Sequence, residues 1–154
     1  MRLLRPGLVL VLALSGCGLF TGPDAALRLP EARALWARVG PSDYSFEYTP
    51  SCFCTLAGQR VVVTVDDGVV AGARLVGASA LDASSVGSIP TIPELFDIIQ
   101  DAYDRSAHQV DVSYDPTWGF PVHARIDYDA QAADEEFGFT VSGFASRELL
   151  GTGR

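Results

Sequence analysis

TIPELFDIIQDAYDRSAHQVDVSYDPTWGFPVHARIDY, residues 91–128, changes its period in mid-course. In the first half Ile92, Leu95, Phe96, Ile99, Ala102 and Tyr103 recur at the spacing of one helical face, while Glu94, Asp97, Asp101 and Asp104 share the opposite one. Thr91 and Glu94 stand as a capping box, each side chain accepting a hydrogen bond from the other residue's otherwise unpaired backbone N–H. In the second half apolar and polar residues alternate. Val110, Val112 and Tyr114 then face one way with Val122, Ala124, Ile126 and Tyr128, leaving Asp111, Ser113, His123, Arg125 and Asp127 outward. A helix followed by an antiparallel pair, His108–Tyr114 and Pro121–Tyr128, is the expectation. A one-residue slip would send an apolar set to solvent, so only pairings whose residue numbers sum to an even value are allowed. The register with Val112 opposite Ala124 sets Asp111 opposite Arg125, with the carboxylate in reach of the guanidinium; the alternative, Val112 opposite Val122, faces Asp111 with His123.

Outward from this stretch, Glu136–Ser142 is a further strand candidate. Upstream, valine-rich runs at Gln59–Asp66 and Val69–Val76 are joined by Asp67-Gly68, a strong hairpin signal, and residues 77–90 (GASALDASSVGSIP) are a loop by composition. Tyr44, Phe46 and Tyr48 alternate with Ser45 and Glu47 in a strand at about 43–49. Ala32, Leu35, Trp36 and Val39 mark a short helix at 31–39, stopped by Gly40-Pro41. The expected architecture is α+β: an antiparallel sheet of about six strands with two helices on one face, in the order helix-strand-strand-strand-helix-strand-strand-strand. That order would also suit a diverged internal duplication of an α-β-β-β unit.

The N-terminus carries an address. Arg2 and Arg5 precede an apolar run from Leu8 to Leu14, too short to span a bilayer, and then Leu14-Ser15-Gly16-Cys17. These four residues resemble the bacterial lipobox, which implies cleavage before Cys17 and lipid on its thiol. The expected organisation is a signal peptide over 1–16, a lipid-anchored tether over 17–30, one globular domain over 31–146 and a C-terminal tail over 147–154. Removing the signal peptide takes two arginines and no acids, lowering the net charge from −8 to −10. Nucleic acid is excluded as a partner, because phosphate binding draws on clustered Lys and Arg, and no polybasic patch serves anionic headgroups. The membrane is met through lipid. The complete absence of lysine reads as genome composition.

Few residues suggest chemistry, and no cofactor is expected. With Cys17 acylated, Cys52 and Cys54 can pair only with each other or with another molecule. A disulfide between i and i+2 needs a local bend, since an extended strand holds them near the upper limit of Cα spacing. Two free thiols, or a redox or metal site, are the alternatives, and strain would raise the reduction potential. Asp115, Asp127, Asp129 and Asp134 are weak calcium candidates, without the spacing of an EF-hand; turn and loop roles are the competing reading. His108 and His123 have no nucleophile motif to serve. Trp118, at the tip of YDPTWGFP, is the best candidate for a contact residue, unless it folds back over Phe120 and the sheet.

YSFEY with SCFC, then TIPELFDIIQDA, YDPTWGFPVHARIDYD and the acids of ADEEFGFTV, in that order, resemble the uncharacterised bacterial lipoproteins grouped as domain of unknown function 6174, over about residues 34–144. The resemblance implies an envelope lipoprotein with a compact domain and supplies no activity. The leading functional reading is an exported lipoprotein of the cell envelope that acts as a noncatalytic binding or structural module for an envelope protein or small ligand. The alternative is an envelope enzyme, or a calcium- or redox-responsive protein, using the C-terminal acids or Cys52/Cys54. A polar pocket gathering His123, Asp127 and the acids would favour the enzyme; an apolar groove or flat sheet face would favour binding.

Overall fold

The computed structural model describes residues 28–78, 80–132 and 136–147. Its elements are α1 (Leu29–Val39), β1 (Tyr44–Ser51), β2 (Val61–Asp66), β3 (Val69–Leu75), α2 (Ala83–Val86), α3 (Ile92–Asp104), β4 (Gln109–Tyr114), β5 (Pro121–Asp127) and β6 (Glu136–Ser146). All six strands form one antiparallel sheet in the order β3-β2-β1-β6-β5-β4.

Two features of the expected architecture are corrected. Among the described residues there are three helices, not two: α2 forms inside the stretch read as loop. Its four residues, ASSV, are too short to show a helical period, and it is nucleated locally by Asp82, whose carboxylate accepts the Ser85 N–H at 2.8 Å. The duplication is also overturned. Both halves run through the sheet in the same order, β3-β2-β1 then β6-β5-β4, but with every pairing antiparallel β4 runs opposite to β1. Superposing one half on the other would turn the sheet over and put its helix on the opposite face, whereas α1 and α3 share one core.

Alternation decides which face is covered. Tyr44, Phe46 and Tyr48 of β1, Val61, Val63 and Val65 of β2, Ala124 and Ile126 of β5 and Phe139 and Val141 of β6 are buried; most of them form one core with Ala32 and Trp36 of α1 and Ile92, Leu95, Phe96 and Ile99 of α3. The other face of the sheet is polar and open, carrying Glu47, His123, Arg125, Thr140 and Ser142. Tyr103, expected on the buried face of α3, is instead 48% exposed near the helix end. Thr91 and Glu94 form the capping box reciprocally, and Ile92 N–H donates to the Tyr44 hydroxyl at 3.1 Å, tying the start of α3 to β1.

The β2–β3 hairpin turns at Asp67 (φ 49°) and Gly68 (φ 76°), the left-handed pair that a two-residue hairpin demands. In the β4–β5 pair Val112 faces Ala124 and Asp111 faces Arg125. The expected ion pair is absent from the described contacts: Arg125 turns to Glu136 of β6 at 3.5 Å, and Asp111 accepts from Gln109 at 2.5 Å. Strand β6 continues past the expected Ser142, because Gly143 (φ 57°) absorbs a bulge against β1 where a stop was read. Its extension carries Phe144, which lies 5.8 Å from Trp36, 4.8 Å from Phe120 and 5.3 Å from Trp118, centroid to centroid.

Candidate functional site

A cavity of about 700 Å³ opens between α3, the segment after α2 and the end of the sheet where β1 finishes and β6 begins. Its floor is apolar and aromatic: Tyr48 from β1, Ile89 from the segment before α3, Phe137 from β6, and Tyr128 just beyond β5. Its wall is one stripe of α3, Glu94, Asp97, Ile98 and Asp101, spaced i, i+3, i+4, i+7. A second lobe of about 290 Å³ adjoins it, sharing Tyr48, Ser88, Ile89 and Phe137 and closed by Pro50, Leu56 and the two cysteines.

The carboxylates on the wall are each held by one partner. Glu94 Oε2 accepts the Thr91 backbone N–H at 2.7 Å and its hydroxyl at 2.8 Å. Asp97 meets Arg33 of α1 at 2.7 Å, and Asp101 meets Arg105 at 3.4 Å. The Arg105 guanidinium also lies over the Tyr128 ring, 4.4 Å from its centroid, a cation–π contact at the rim. Burial, then the nearby Asp101 charge, push the Tyr128 phenol up. Tyr48 is the least ordinary member: only 4% of it is exposed, its hydroxyl has no hydrogen-bond partner among the described residues, and burial pushes its phenol up to about 12.

Cys52 and Cys54 are joined in a disulfide, with Cα atoms 5.3 Å apart. The required bend is a tight turn in which Cys54 N–H donates to the Cys52 carbonyl at 2.9 Å. Phe53, between them, is 96% exposed beside the second lobe. Trp118 is half-buried in the aromatic group around Phe144. Asp115 builds the turn that holds it, its Oδ1 accepting from the Thr117 and Trp118 N–H groups at 2.8 Å each. Asp129 plays the same local part, accepting the Gln131 N–H at 2.9 Å. Asp115 and Asp127 lie at opposite ends of β5. Asp127 Oδ1 is buried with no hydrogen-bond partner among the described residues. No group of three or more potential metal ligands occurs among them. His123 is exposed on the open sheet face, and His108 is exposed between α3 and β4, so neither meets the cleft. Cys17 and Asp134 lie outside the described residues.

Reading the sequence missed the cleft. Tyr48 looked like one more core aromatic, and Phe137 was read only as part of the strand candidate Glu136–Ser142. One signal was present: Ile98 is an apolar residue amid the acids of α3, out of place on a face meant for water alone.

The fold is that of a small domain, a helix-covered antiparallel sheet with an apolar-floored cleft at its end. The chain belongs to the family of unknown function DUF6174, whose model matches residues 28–146. Among curated proteins and among solved structures nothing matches it. No helix among the described residues is long and apolar enough to cross a membrane.

Proposed function

We propose that this chain is an exported lipoprotein of the bacterial envelope, anchored through lipid on Cys17, whose domain is a noncatalytic module that binds a ligand in the cleft beneath α3. The anchor rests on the run from Leu8 to Leu14 followed by Leu14-Ser15-Gly16-Cys17. The observation that carries the binding role is the cleft itself: about 700 Å³, in the size range of small-molecule sites, floored by Tyr48, Ile89 and Phe137. Of the described acids that an enzyme reading would gather, Asp115 and Asp129 are engaged in turns, and Asp127 and Glu136 face each other at the end of β5 away from Asp115.

N-terminal mass spectrometry of the protein from its own membranes tests the anchor. A mature chain starting at an acylated Cys17, lost in Cys17→Ser, is expected; a mature N-terminus elsewhere without lipid would refute it. For the cleft, the neutral fluorophore N-phenyl-1-naphthylamine should bind saturably, with affinity reduced about tenfold by Ile98→Asp, which puts a charge against the floor. Binding indifferent to that change would place the probe elsewhere and count against the site.

A further inference from the structure

We infer that the cleft selects an organic cation, an ammonium or guanidinium group carried on an apolar body. The inference rests on the cleft being the binding site and adds the chemistry of its ligand. Glu94, Asp97 and Asp101 line the wall one turn apart, and no Arg, Lys or His among the described residues lines either lobe. Arg33 and Arg105 reach Asp97 and Asp101 from outside the lining, each pair engaging one carboxylate oxygen and well exposed. Such exposed pairs add little stability and are readily exchanged, so a ligand cation can compete for the carboxylates.

Tyr48 is the independent observation. Its side chain is more than nine-tenths buried in the floor shared by both lobes. Its hydroxyl makes no hydrogen bond among the described residues and is not one of the fully enclosed unpaired oxygens, which are those of Tyr114 and Asp127, so it opens to the cleft. A hydroxyl so placed offers lone pairs to an N–H donor within the cleft. The rim already displays the complement: the chain's own Arg105 guanidinium lies on the Tyr128 ring, at 4.4 Å, beside Asp101. An apolar floor, a hydroxyl unpaired among the described residues and a row of carboxylates together match a cationic head on an apolar body.

The test is displacement of N-phenyl-1-naphthylamine from the full mature chain by three probes of one shape: 2-phenylethylammonium, 2-phenylethanol and 3-phenylpropanoate. The ammonium should bind about tenfold more tightly than the alcohol, as charge-assisted contacts require, and the carboxylate least. Asp97→Asn with Asp101→Asn, both at exposed positions, should bring the ammonium to the level of the alcohol without moving the alcohol. Tyr48→Phe should weaken the ammonium roughly threefold more than the alcohol. A capped Lys-Phe dipeptide compared with the free amine assigns the cation to a peptide side chain or a small molecule, whichever binds tighter. Equal binding of ammonium and alcohol, or an ammonium affinity unmoved by the double variant, overturns the inference while leaving the cleft a binding site. If the fluorophore and all three probes fail to bind, the cleft reading falls and the inference with it.

Discussion

Gly119 shows how sharply single positions constrain this molecule. Its φ of +84° is one that side chains rarely adopt, and a Cβ there would lie 2.4 Å from the Ala32 carbonyl oxygen of α1. The β4–β5 turn is therefore pressed onto the helix backbone, which is what lets Phe120 and Trp118 reach Phe144. Gly119→Ala should cost at least about 2 kcal/mol of stability in urea denaturation, from backbone strain and collision together. A cost below about 0.5 kcal/mol would show the turn free to lift away.

Buried phenols set an alkaline limit at the same scale. Burial pushes Tyr44 and Tyr48 from 10.0 up to about 12, in Tyr44 against the opposing effect of the Ile92 N–H it accepts. A group whose folded pKa is raised stabilises the fold fully below its unfolded pKa and loses that contribution as pH rises through the folded one. The urea midpoint should hold to about pH 10 and fall progressively toward pH 12, more gently in Tyr48→Phe. Phenolate absorbance that develops completely near pH 10 in the folded protein would contradict it. Cys52 and Cys54 make a simpler test: the protein should gain two hydrogens in intact mass on reduction, and alkylation of both thiols without reductant would refute the bond.

Among the elements, α3 is both the best-signalled helix and the wall of the cleft. Thr91 fixes where it starts, so Thr91→Ala should cost about 1 kcal/mol. The same variant should shift amide exchange mainly in the first turn of α3; no change in stability would mean that Tyr44, through Ile92, holds the helix start unaided. What was legible here was local. The Asp67-Gly68 turn and the parity of Val110, Val112, Ala124 and Ile126 follow from near neighbours, and both determine structure as expected. The ion pair Asp111–Arg125 failed to form because Glu136, on the neighbouring strand β6, competes for the guanidinium and Asp111 turns to Gln109. Helix α2 was illegible because ASSV lacks any apolar period, and the end of β6 was misread because Gly143 makes a bulge.

At the scale of the whole molecule, the central fact is the β1–β6 pairing, which joins the two ends of the domain and was beyond any local signal. It sets Tyr48 opposite Val141 and Ser51 opposite Gly138, bringing the end of β1 beside Phe137 at the start of β6. With α3 laid across that end, the cleft follows from topology, and its residues are scattered from Tyr48 to Phe137 along the chain. Composition foretold its charge only as a general excess of acid, not where the carboxylates would meet an apolar floor.

The central claim, that this cleft is the ligand site, is tested most directly by backbone NMR of the protein titrated with 2-phenylethylammonium. Saturable shifts should centre on Tyr48, residues 87–90, the α3 stripe from Glu94 to Asp101, Tyr128 and Phe137, while His123 and Thr140 on the open face and the Asp67-Gly68 turn stay still. Shifts that centre on the open face, or none that saturate, would contradict the account.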